Sequence, residues 1–143
     1  ARALSLHSNN EPLLDKRLPD FAAFAREMLP NARLKMFTNG TVLTLPLFRT
    51  LMPHFDRIFI NNYNDAAAMH PNIQEIRDFC GTPEGERLLR GKSLVIQLRD
   101  PGVVLSSRGG NAPNRSRPTR PVSVPCWYPF KQFIIRPDGK VSL

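Results

Sequence analysis

The sequence predicts an α/β fold with parallel strands, on three observations. Short apolar strands alternate with stretches of helical periodicity from Ala3 to Leu98, the connecting segments are short, and a cluster of polar residues follows each strand. A helix between consecutive strands favours right-handed crossovers, and therefore a parallel sheet.

The elements follow in order. Residues 2–7 alternate apolar with polar side chains and run into Ser8-Asn9-Asn10-Glu11, where Pro12 cannot donate to a ladder. A helix is predicted over 18–29, because Phe21, Phe24, Ala25, Met28 and Leu29 recur at helical spacing before Pro30. The second strand, 33–37, closes at Thr38-Asn39-Gly40, an Asn-Gly pair that readily supplies positive backbone dihedrals. A second helix is predicted over 45–54. The third strand, 56–60, ends in a loop Asn61-Asn62-Tyr63-Asn64. Pro71 opens a helical stretch containing Ile73, Ile76 and Phe79, Thr82-Pro83-Glu84 caps a short helix reaching Leu89, and Ser93–Leu98 is the fourth strand.

After Arg99 the composition turns to Gly, Pro, Ser, Asn and Arg as far as Pro125, which reads as an arm laid over the core. The last stretch alternates through Phe133-Ile134-Ile135 and turns at Pro137-Asp138-Gly139, the start of a hairpin. The division expected is a β/α core over 1–105, a linker arm over 106–125 and the beginning of a further domain over 126–143.

Composition limits the function classes. A chain of 143 residues with 41% hydrophobic content admits one ordinary core or part of one. It begins at Ala1, with no signal-peptide pattern and with strand character from Ala3, so it is expected to start inside a fold. No apolar run reaches the roughly 18–20 residues needed to cross a bilayer, so no membrane partner is expected. Cys80 and Cys126 stand far apart and support neither a disulfide framework nor a complete zinc site, which points to a cytoplasmic protein. The net charge of +8 is concentrated late: no acidic residue lies between Asp100 and Asp138, whereas Arg108, Arg115, Arg117, Arg120, Lys131 and Arg136 do. That asymmetry motivates an alternative reading, a non-catalytic β/α binding module whose basic arm engages an acidic partner or nucleic acid. The single Arg108-Gly109-Gly110 lacks interleaved aromatic stacking platforms, so nucleic acid is not expected. A glycosyltransferase on the same sheet would want an Asp-x-Asp motif or a phosphate loop, and the sequence has neither.

In open sheets and barrels of this class, ligands bind beyond the carboxyl ends of the strands. Those segments carry Ser8-Asn9-Asn10-Glu11, Thr38-Asn39-Gly40, Asn61-Asn62-Tyr63-Asn64 and, on the fourth strand, Gln97 with Arg99. Many neutral hydrogen-bonding groups with one carboxylate and one guanidinium suit a polar, zwitterionic ligand. Glu11 has no second carboxylate to form an acid/base pair. His7, His54 and His70 lack metal-ligand spacing and read as packing or surface groups.

Two motifs in sequence carry a family resemblance. Asn10-Glu11-Pro12-Leu13-Leu14 after a strand resembles the Gly-Glu-Pro region of radical S-adenosylmethionine enzymes, and Thr38-Asn39-Gly40 resembles the Thr-Asn-Gly that follows their next strand. Ser107-Arg108-Gly109-Gly110-Asn111, then Pro125-Cys126 and the Asp138-Gly139 turn, resemble the entry to a SPASM domain. The resemblance implies a partial (β/α) barrel followed by an irregular arm and the first β-hairpin of a truncated SPASM domain, an internal fragment of the longer enzyme. It implies reductive cleavage of S-adenosylmethionine and abstraction of a substrate hydrogen. It assigns the methionine amino group to Asn9, Asn10 and Glu11, with Asn10 replacing a usual Gly. By the same resemblance Thr38 and Asn39 line the cofactor, and Asn61, Asn62, Gln97 and Arg99 face its ribose or carboxylate. Cys126 would ligate an auxiliary [4Fe-4S] cluster with other ligands outside the chain. The Cys-x3-Cys-x2-Cys motif that holds the main [4Fe-4S] cluster is absent, so the chain alone is expected to be inactive. The expected substrate is a peptide, and the expected electron donor a flavodoxin or ferredoxin.

Overall fold

A computed structural model describes residues 3–7, 11–62, 68–98, 134–135 and 140–142. The chain divides into two compact units, Ala1–Val103 and Val104–Leu143. In the first, β1 (Ala3–Ser5), α1 (Leu18–Met28), β2 (Arg33–Thr38), α2 (Leu45–Leu51), β3 (Arg57–Asn62), α3 (Pro71–Cys80), α4 (Pro83–Leu88) and β4 (Ser93–Leu98) follow one another, with a 3-10 turn at Pro12–Leu14. The strands form one parallel sheet in the order β1-β2-β3-β4, as the strand and helix alternation predicts. Among the described residues no helix is long and apolar enough to cross a membrane.

Strand alternation decides which face is covered. Leu34, Met36 and Thr38 on β2, and Ile58, Ile60 and Asn62 on β3, are buried against the helices. They join Leu18, Ala22 and Ala25 of α1, Phe48 and Leu51 of α2, and Ile73 and Ile76 of α3 in one core. The intervening positions, among them Lys35, Phe37, Arg57, Phe59, Asn61, Val95 and Gln97, occupy the opposite face and are half-buried or exposed. Among the described residues the helices lie on one side of the sheet, as in the wall of a β/α barrel.

Three local differences from the sequence expectation have physical causes. β3 continues through Asn61 and Asn62, which pair with Gln97 and Leu98, so these asparagines are strand residues rather than loop residues. α2 stops at Leu51 instead of reaching His54, because Pro53 cannot donate the backbone bond that would extend it. The buried stripe of α1 is Leu18, Ala22 and Ala25, whereas Phe21, Phe24 and Met28 stay exposed on its flank. Small side chains let the helix lie close on the sheet.

In the second unit, β5 (Ile134–Ile135) pairs antiparallel with β6 (Val141–Ser142). The 106–125 arm, Cys126 and the Asp138-Gly139 turn lie outside the described residues.

Candidate functional site

The carboxyl end of the sheet is organised by Glu11. It caps the 3-10 turn, its Oε1 accepting from the Leu13 N–H at 3.2 Å and from the Thr38 hydroxyl at 2.6 Å. Its Oε2 accepts from the Asn39 N–H at 2.7 Å. Thr38, only 3% exposed, passes the chain of bonds on: its Oγ1 accepts from the Gly40 N–H at 2.9 Å. One carboxylate thus fastens the segment after β1 to the turn after β2, where charge-assisted bonds are among the stronger ones available.

The turn itself is locked from both sides. Asn39 Oδ1 accepts from the N–H and the hydroxyl of Thr41, an Asx turn. Gly40 has φ +74°, and a Cβ there would lie 2.7 Å from Ile60 Cγ2 and 2.8 Å from Ile73 Cδ1, so only glycine fits. Asn72, in the first turn of α3, donates from Nδ2 to the carbonyls of Gly40 at 2.7 Å and Leu43 at 2.8 Å. Sequence reading passed over Asn72; its one signal was an amide immediately after a helix-opening Pro.

Asn62 does comparable work after β3. It is 1% exposed, donates from Nδ2 to the Ala68 carbonyl at 2.7 Å and accepts the His70 N–H at 3.4 Å, which closes the connection and sets the start of α3. Asn61 and Gln97 sit opposite each other on the open face. Of the residues expected at the site, the structure brings Glu11, Thr38 and Asn39 into one network and Asn61 beside Gln97. Asn9, Asn10 and Arg99 lie outside the described residues.

Below these groups the open face carries an aromatic row. The Phe37 and Phe59 rings stack at 4.3 Å with their planes 2° apart, and His7 tilts against Phe37 at 5.8 Å and 55°. Arg57 places its guanidinium 5.6 Å from the Phe59 centroid. His7 Nδ1 is closed off from solvent and has no hydrogen-bond partner among the described residues. Burial pushes the His7 imidazole below its ordinary pKa, with the Glu11 charge pulling weakly the other way, so the ring is neutral at neutral pH. Sequence reading took His7 for a packing or surface group.

No cluster of three His, Cys, Asp or Glu side chains able to hold a metal occurs among the described residues. They therefore provide no ligand set for an iron-sulfur cluster. Among the described residues the strand ends carry the neutral amides Asn39, Asn61 and Gln97, groups able to hydrogen-bond a hydroxyl, an ammonium or a carboxylate. A shallow depression lined by Arg49, Phe79, Glu84, Arg87 and Leu88 belongs to the helix layer and shares none of these residues.

No family model matches the sequence. The chain is 32% identical over 144 residues to the S-adenosyl-L-methionine-dependent 2-deoxy-scyllo-inosamine dehydrogenase of Niallia circulans, a match taking in 99% of this chain and 52% of the relative. The chain therefore spans about half the length of the curated relative it matches. A solved structure, BtrN in complex with AdoMet and 2-DOIA, is similar with a TM-score of 0.57 at 27% identity, covering 78% of this chain and 42% of that one. These two similarities, together with the parallel β/α architecture, support a relationship between this chain and the radical S-adenosylmethionine enzymes.

Proposed function

We propose that this chain forms the cofactor-orienting part of an S-adenosylmethionine-dependent radical oxidoreductase that oxidises a hydroxyl group on a polar ring. The observation that carries the reading is the Glu11 brace, because it unites the two motifs of the resemblance, Asn10-Glu11-Pro12 and Thr38-Asn39-Gly40, in one hydrogen-bonded unit. When bound there, S-adenosylmethionine supplies the group that abstracts a substrate hydrogen. The chain's own residues orient. Glu11 and Thr38 hold the loops in register, Asn9, Asn10 and Asn39 offer polar groups to the methionine end, and Asn61, Gln97 and Arg99 serve the ribose or carboxylate, while Asn62, buried and engaged by Ala68 and His70, holds the connection after β3. Such fixed geometry is what hydrogen abstraction demands, since a misplaced reacting carbon loses rate steeply. Cys126 would serve an auxiliary [4Fe-4S] cluster in a SPASM extension, and a flavodoxin or ferredoxin would deliver the electron.

The test uses the protein that carries this chain, purified anaerobically and reconstituted with iron and sulfide. Incubation with S-adenosylmethionine, a reductant and 2-deoxy-scyllo-inosamine is expected to yield 5′-deoxyadenosine together with an oxidised cyclitol. Absence of 5′-deoxyadenosine under every reducing condition removes the reading. Turnover of a peptide panel with the cyclitol untouched keeps the radical chemistry and replaces the substrate class.

A further inference from the structure

We infer that Asn72 is a positioning residue of the cofactor site: from the first turn of α3 it fixes the Thr38-Asn39-Gly40 turn, and Asn62 in turn fixes the start of α3. The ends of β2 and β3 then present their amides as one body. The inference rests on the oxidoreductase reading above and deepens it by naming a residue that acts on the cofactor only through others.

Three observations converge. First, the Leu43 N–H donates to the Gly40 carbonyl at 3.1 Å, closing a turn, and Asn72 Nδ2 donates to the carbonyls at both ends of that turn, at 2.7 Å to Gly40 and 2.8 Å to Leu43. The amide nitrogen carries two hydrogens, so each serves one carbonyl. Second, Ile73, the next residue of α3, is fully buried against Gly40, where a Cβ would lie 2.8 Å from its Cδ1. Hydrogen bonds and packing thus press the same helix turn onto the same loop, and a close-packed contact of this kind leaves little play between them. Third, the start of α3 is set from β3. Asn62 is buried, donates to the Ala68 carbonyl and accepts from the N–H of His70, the residue immediately before the helix.

What the clamp delivers is a donor of fixed placement. Asn39 Oδ1 is engaged by the N–H and the hydroxyl of Thr41, which leaves Nδ2, a donor only, for a ligand. The backbone carrying that amide is held on one side by Glu11 through the Asn39 N–H and on the other by Asn72 through the Gly40 carbonyl. Hydrogen abstraction is sensitive to such placement, since a reacting carbon displaced by about 1 Å loses on the order of 100-fold in rate.

Asn72→Asp separates this role from a role in the helix. The carboxylate has the shape of the amide without either donor, and a negative charge in the first turn of a helix is favourable, so α3 itself is not weakened. In the reconstituted protein that carries this chain, titration calorimetry is expected to show S-adenosylmethionine bound about tenfold or more weakly by Asn72→Asp than by the parent, with far-ultraviolet circular dichroism unchanged. Asn72→Ala is then combined with Asn39→Ala. Because Asn72 acts through the turn, the loss of cofactor affinity in the double variant is expected to be smaller than the product of the two single losses by about threefold or more. Unchanged affinity in Asn72→Asp overturns the inference, and so does a double-variant loss equal to that product, since Asn72 then acts independently of the turn. A fall in helical signal in Asn72→Asp also overturns it, because the residue then serves α3. In each of these cases the parent still binds S-adenosylmethionine and forms 5′-deoxyadenosine, whereas failure of the oxidoreductase reading abolishes both in the parent.

Discussion

At the scale of single residues, Glu11 shows how a motif can be read correctly and explained incompletely. The sequence marks it as a ligand contact, yet both its oxygens are engaged by the protein, and the partners Thr38 and Asn39 lie 27 and 28 positions away. No local pattern could announce that pairing. Glu11→Gln is expected to destabilise by about 1–3 kcal/mol, because an amide nitrogen would face either the Asn39 N–H or the Thr38 and Leu13 donors. Chemical denaturation measures that loss, and a fall in S-adenosylmethionine affinity beyond what unfolding explains would show that the brace sets the cofactor loops. Gly40→Ala is a separate case. The added methyl meets Ile60 and Ile73 within 3 Å at a positive φ, so a loss of about 1–3 kcal/mol is expected, visible as a lower denaturation midpoint. The Asn-Gly turn was legible from the pair itself; the close approach of Ile73, on a helix 33 positions on from Gly40, was not.

Among the elements, the amino ends of the strands form a second polar assembly that serves stability rather than binding. Arg26 of α1 donates to the carbonyls of Pro30, Ala32 and His54 and to the Asp56 carboxylate at 2.6 Å. Asp56 also accepts from the Leu34 N–H, and Lys92 donates to the carbonyls of Pro53 and Phe55. Burial alone would raise the Asp56 pKa, but the bonds from Arg26 and Leu34 outweigh it and leave the carboxyl below its ordinary value. A depressed carboxyl contributes stability that is present above the unfolded pKa, about 3.9, and is lost as pH falls through the folded value. Unfolding free energy is therefore expected to drop below about pH 4 in the parent and to drop less over that interval in Asp56→Asn. Equal acid sensitivity in the two proteins would show that other carboxylates govern it. Helix positions were legible from periodicity, but the identity of the buried stripe on α1 was not. Spacing pointed to Phe21, Phe24, Ala25, Met28 and Leu29, of which close packing kept only Ala25 and added Leu18 and Ala22.

For the whole molecule, strand order was legible because β/α alternation leaves few topologies. The open face was legible in principle, since Arg33-Leu34-Lys35-Met36 and Arg57-Ile58-Phe59-Ile60 alternate in the period-two manner of a sheet covered on one side. The consequence is a distribution of apolar surface unlike that of a closed domain. Phe37 and Val95 are exposed on the open face, and Phe24 (63%) and Met28 (60%) on the flank of α1. Contiguous apolar patches of this kind mark surfaces that associate. The chain by itself is thus expected to self-associate as concentration rises, and the two surfaces can be separated by mutation. Phe24→Glu with Met28→Lys changes only exposed positions, so it should leave stability within about 0.5 kcal/mol. If the α1 flank drives association, light scattering will show this double variant shifting toward monomer, and if the open face dominates, Val95→Lys will do so instead. A parent chain that stays monomeric across the whole concentration range and unfolds cooperatively would mean that neither surface associates, and that the exposed side chains are tolerated as they stand.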